Sequence, residues 1–191
     1  TYTGSETWIG LKINEWMASN SAESGILDPA DSDSDDWIEL FNPTANAVSL
    51  AGWALSDDLE DPLKFIIPAG FAIPANGYLI VWADDESLQN EVALRQEIHV
   101  PFKLSAGGEL IVLTAPDGSQ IDLVEFGEQT SNVVQLRRLD GGGDFAFSLM
   151  PTPGAANFIN NPAAAVISTT YADGGLSLSF QAESGVVYVL E

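Results

Sequence analysis

The sequence predicts an all-β protein, a sandwich or barrel of short strands. Apolar residues alternate with period two along most of the chain, the segments between these runs are dense in Gly, Pro, Asn and Asp, and one short segment alone reads as helical. Turn signals at such regular spacing belong to two-sheet or closed β architectures.

The elements follow in order. Ile9, Leu11 and Ile13 alternate with Gly10 and Lys12 and give a first strand. In Trp37–Phe41, Trp37, Glu39 and Phe41 share one face while Ile38 and Leu40 share the other, so an aliphatic core face is expected, with Asn42-Pro43 closing the strand. Gly52 before Trp53 marks a strand start with positive φ or close backbone approach. Pro68–Gly70 and Pro74–Gly77 are turns. Tyr78–Ala83 is the longest apolar run, about six residues against the roughly 20 that span a bilayer. Between Asp84 and Gln96 the acids 84–86 suit a helix N-terminus, and Leu88, Val92 and Leu94 form a weak stripe, so at most two helical turns are expected. Asp117-Gly118 should join strands over 109–114 and 121–126 as a hairpin. Asp140–Gly143 is a further turn.

The alternation stops at Pro151–Asn157, and Pro162 with three alanines follows. This reads as a linker over 159–165. Beyond it, within 166–191, Val166–Tyr171, Leu176–Phe180 and Val186–Leu190 are strand-like. Three strands cannot bury both faces alone, so they either dock on the first domain or open a second β domain.

The 191 residues carry 28 Asp+Glu against 6 Lys+Arg, a formal net charge of −22. Such a chain lacks the cations that neutralise phosphates, which argues against nucleic acid and against anionic lipid as partners. Cations and basic partners suit it better. With 46% hydrophobic residues and aromatics throughout, it has material for a core. It has no cysteine, hence no disulfide and no thiolate metal site. The chain begins with Thr and shows no basic and apolar leader pattern, so any secretion signal is expected outside this sequence.

Catalytic vocabulary is sparse. His99 is the single imidazole and reads as a strand residue before Pro101-Phe102, no G-x-S-x-G elbow presents a serine, and neither H-E-x-x-H nor a phosphate-binding glycine motif occurs. Paired carboxylates for glycoside hydrolysis remain an alternative, because acids are abundant. Trp8, Trp16, Trp37, Trp53 and Trp82 offer a second alternative as sugar-binding platforms, although Trp in a two-sheet fold usually fills the core.

Half of the acids are clustered: seven between Glu23 and Glu39, four between Asp57 and Asp61, three between Asp84 and Glu86. In the first cluster Asp31, Asp33, Asp35, Asp36 and Glu39 are the candidate metal ligands, since closely spaced carboxylates repel unless a hard cation such as Ca²⁺ relieves them. The run opens like an EF-hand loop but has Asp36 where that loop needs Gly and Asn42 where it needs Glu, so it is not one. A solvated acidic loop is the competing reading.

Several segments stand in a recognisable order: Ile13–Asn20, Asp36–Asn42, Leu50–Asp57, Ile67–Gly70, Phe102–Gly108 and Pro151–Asn157. Together, over residues 9–158, they closely resemble the lamin-tail domain as it occurs in bacterial secreted proteins. The resemblance implies an immunoglobulin-like β-sandwich that sits as an accessory module in large extracellular proteins; together with the sparse catalytic vocabulary it leads us to expect a non-catalytic module of an extracellular or cell-surface multidomain protein, with neighbouring domains of the same polypeptide as partners and a surface protein or polysaccharide as further candidates. No heptad pattern accompanies it, so a filament rod is not expected.

Overall fold

The computed structural model describes residues 10–91, 97–159, 168–172 and 175–179. The chain divides into two units, Thr1–Phe158 and Ile159–Glu191. The strands of the first unit are β1 (Lys12–Met17), β2 (Asp36–Phe41), β3 (Val48–Ser49), β4 (Ala54–Ser56), β5 (Phe65–Ile66), β6 (Ala72–Ile73), β7 (Tyr78–Ala83), β8 (Ile98–Val100), β9 (Glu109–Thr114), β10 (Gln120–Phe126), β11 (Val134–Leu139) and β12 (Gly142–Ser148). In the second unit β13 (Ser168–Ala172) and β14 (Gly175–Ser179) form an antiparallel hairpin. The expected strand over 186–190 lies outside the described residues.

Two sheets build the first unit. One has six strands in the order β12-β11-β1-β2-β7-β8, antiparallel except for β7 and β8, and the other has four in the order β10-β9-β4-β5. Two-residue strands β3 and β6 form a separate small ladder. The predicted hairpin forms: Gly118 N–H donates to Ala115 O at 2.9 Å, Ala115 N–H to Ser119 O at 2.8 Å, and β9 pairs with β10. Gly52 takes φ 82° before Trp53, as expected.

Between the sheets lie Ile13, Trp16, Ile38, Leu40 and Val81 from the larger sheet and Leu55, Ile111, Leu113 and Val124 from the smaller. Ile38 and Leu40 face this core as the alternation predicts. Their neighbours on the opposite face are buried too: Met17, Trp37 and Trp82 sit side by side across the β1-β2-β7 ladder at 0%, 0% and 4% exposure. The sheet is therefore covered on both faces, which turns outward-facing positions of β1, β2 and β7 into interior ones. Trp16, Trp37, Trp53 and Trp82 are all buried, so these four are not open platforms. Trp8 lies outside the described residues.

A bulge between Ile13 and Glu15 interrupts the β1–β2 ladder. Freed there, the Ile13 N–H donates to Asp122 Oδ2 at 3.0 Å, and Arg137 donates from Nε to Ile13 O at 2.8 Å and from Nη2 to Asp122 Oδ2 at 2.9 Å. Asp122 is on β10 and Arg137 on β11, so this group ties the two sheets together beside the bulge.

The helical segment between Asp84 and Gln96 is a 3-10 helix over Ser87–Glu91. Leu88 is 77% exposed, so it contributes no buried stripe, and Val92 and Leu94 lie outside the described residues.

Gly108 shows how tightly the β8–β9 connection is built. Its φ is +101°, and a Cβ placed there would stand 2.6 Å from the Phe126 carbonyl oxygen. Gly108→Ala is expected to cost about 2–4 kcal/mol, since both the backbone conformation and the backbone contact oppose it. Denaturant unfolding checks this; a loss below 1 kcal/mol would show that the loop yields.

Candidate functional site

Two groups of buried polar side chains carry the chemistry of the first unit. The first grows from the bulge. Beyond it the register places Glu15 directly opposite Glu39 on the outward face, and both are fully buried. Glu15 accepts hydrogen bonds from the Thr152 N–H at 3.0 Å and the Thr152 hydroxyl at 2.7 Å. Glu39 accepts from Asn14 Nδ2 at 2.9 Å and from the Gly154 N–H at 2.7 Å. Asn14 Nδ2 also reaches Asp140 Oδ1 at 3.1 Å and Asn157 Oδ1 at 3.2 Å, while Asn14 Oδ1 accepts from the Gly141 N–H at 2.9 Å. Asn157 completes the group, its N–H donating to Asp140 Oδ1 at 2.9 Å and its Nδ2 to Arg137 O at 2.8 Å.

This is a clamp. The Pro-rich segment 151–157 has few backbone partners of its own, and strand carboxylates supply the acceptors its N–H groups need. Burial pushes the Glu15 carboxyl up to about 7 and that of Glu39 up to about 8, against the Thr152, Asn14 and Gly154 donors, which favour ionisation.

The second group lies at the loop before β2. Asn20 closes this loop: its Nδ2 donates to Ile26 O at 2.9 Å and Asp35 O at 2.8 Å, and its N–H donates to Asp36 Oδ1 at 2.9 Å. Asp28, in the same loop, is fully buried and meets two residues distant in sequence. His99 Nδ1 stands 2.6 Å from Asp84 Oδ2 and 3.4 Å from Asp28 Oδ2, with all three side chains buried. One carboxylate oxygen from each of Asp28, Asp31 and Asp35 also lies within 4.8 Å of the other two. Burial raises Asp28 to about 6. For His99 burial acts downward, but the Asp84 hydrogen bond and the Asp28 charge outweigh it, so its pKa is raised.

Of the five expected ligands, then, Asp31 and Asp35 come together, and they do so around Asp28. Asp33 is exposed and outside the group. Asp36 is used by the Asn20 N–H. Glu39 is not brought to the loop. Three residues along a strand separate it from Asp36 by roughly 10 Å and turn it to the opposite face, where it belongs to the clamp. Asp84, from the third acidic cluster, does reach the first through His99. No spacing rule in the sequence signals that meeting, because β8 joins β7 in parallel only in the folded sheet.

A cleft beside the clamp is lined by Leu27, Phe71, Tyr78, Ile80, Trp82 and Pro153. Tyr78, Ile80 and Trp82 share the outward face of β7.

These features define an all-β, two-sheet immunoglobulin-like sandwich whose closing segment is fixed by carboxylates of its first two long strands. The family model of the lamin tail domain matches residues 9–128, and the chain belongs to that family. No curated protein matches the chain. Among the described residues no helix is long and apolar enough to cross a membrane.

Proposed function

We propose that this chain is a non-catalytic interaction module of a secreted or surface-attached bacterial multidomain protein, acting as a spacer or attachment unit beside other domains of its polypeptide. Membership of an interaction-domain family supports this reading. The observation that carries it is the clamp. Glu15 and Glu39 face one another across the β1–β2 ladder, and their oxygens accept from Thr152, Gly154 and Asn14 of the same chain. They hold the fold, so this pair is engaged within the chain. The cleft over β7 offers a surface for a neighbouring domain, a surface protein or polysaccharide.

A reducing-sugar assay against a panel of soluble polysaccharides tests the choice. The expected result is no release above the buffer control. Release that disappears in Glu39→Gln would establish the carboxylate-based hydrolase instead. A glycan array run on the same protein separates a polysaccharide-binding module from a plain spacer.

A further inference from the structure

We propose that the loop before β2 is a calcium site, in which Asp28, Asp31 and Asp35 supply carboxylate oxygens to one ion and the buried Asp84–His99 pair holds Asp28 in position. The site is distinct from the clamp and does not depend on the role given to the module.

The orphaned oxygen of Asp28 is the observation that points to a ligand. Asp28 is fully buried; its Oδ1 accepts the Ala30 N–H at 2.7 Å, whereas its buried Oδ2 accepts no hydrogen bond among the described residues. An ionised carboxylate oxygen in that position needs a donor or a cation. His99 cannot meet the need alone. Its Nδ1 is committed to Asp84 at 2.6 Å and stands 3.4 Å from Asp28, and a single imidazolium would still face two buried carboxylates.

Charge balance says the same. Asp28, Asp31, Asp35 and Asp84 converge here, and against these four carboxylates the described residues bring His99 and the Lys103 charge that acts on Asp35, so negative charge stays in excess. A divalent ion shared by Asp28, Asp31 and Asp35 cancels most of that excess. The donor set selects calcium. Three carboxylates give three to six oxygens, and Asp31 is exposed with Asp35 half-buried, so water can complete the six to eight ligands calcium takes. Ligating carboxylates are commonly steered by groups behind them, and the Asp84–His99 pair occupies that place on the buried side.

Thermal melting of the intact chain in 10 mM CaCl₂, against EDTA with NaCl at matched ionic strength, tests the site. At the affinities of extracellular calcium modules, a rise of roughly 3–10 °C is expected. The rise should vanish in Asp31→Asn/Asp35→Asn, which alters accessible side chains and leaves the core intact. It should persist in Asp33→Asn and in Asp58→Asn/Asp61→Asn, which removes charge from another acidic loop. Equal melting in calcium and matched NaCl would overturn the proposal, as would a calcium shift that survives Asp31→Asn/Asp35→Asn. A shift given by Zn²⁺ but not by Ca²⁺ would overturn it too, placing a different metal on the buried Asp28–Asp84–His99 group.

Discussion

Trp16→Ala is expected to destabilise the first unit by about 4 kcal/mol. Trp16 is fully buried on β1, which lies between β11 and β2 in the larger sheet. Its ring is 5.5 Å from that of Phe126 on the smaller sheet and 5.0 Å, edge-on, from that of Phe145 on β12. Truncation thus opens a cavity where both sheets meet. Among the described residues Trp16 Nε1 has no hydrogen-bond partner, so the loss is one of packing. At 2–4 °C per kcal/mol for a chain of this length, the melting temperature should fall by roughly 8–16 °C. A fall under 3 °C would mean that the sheets are held together elsewhere.

Glu39→Ala comes next, at about 3 kcal/mol. It removes the partner of the Gly154 N–H, in a part-buried bond, and one acceptor of the buried Asn14. The same carboxylates set a pH dependence. Glu15 and Glu39 have pKa values raised to about 7 and about 8 from a reference of 4.5. Between pH 4.5 and 8 the folded state therefore holds protons that the unfolded chain has released, and stability falls as pH rises through that window. Each such group costs about 1.4 kcal/mol per pH unit inside it. Below pH 4.5 both states are protonated and the contribution is fully present; above pH 8 it is gone. Denaturant unfolding at pH 5, 6.5 and 8 should show decreasing stability, with a shallower slope in Glu39→Gln. Stability that increases from pH 5 to pH 8 would contradict these environments.

The sandwich was legible because period-two alternation is a property of the pleat itself. Ile38 and Leu40 face the core, and the strands flanking Asp117-Gly118 pair, from local pattern alone. Trp37 and Trp82 show the limit of that pattern. They lie on the outward face, and covering by other segments buries them, which alternation cannot foresee. The two-residue strands β3 and β6 are too short for any periodicity to show. In the acidic loop, sequence proximity grouped Glu39 with Asp36, but the pleat sends them to opposite faces. Asp28, Asp84 and His99 meet only because β8 lies parallel to β7, a tertiary fact. The clamp was half visible. Asn14-Glu15, Glu39 and Thr152–Asn157 all fall inside the segments that carry the family resemblance, yet only the structure shows that these residues bond to one another.

The strand carboxylates Glu15 and Glu39 clamp the closing segment through the Thr152 and Gly154 amides, and this bonding is open to a direct check. Residue-resolved hydrogen exchange at the Thr152 and Gly154 amides tests it most directly. Both amides are expected to exchange far more slowly than solvent-exposed loop amides, with Gly154 losing its protection in Glu39→Ala while the β9–β10 ladder keeps its own. Exchange of Gly154 at exposed-loop rates in the unaltered protein would contradict it.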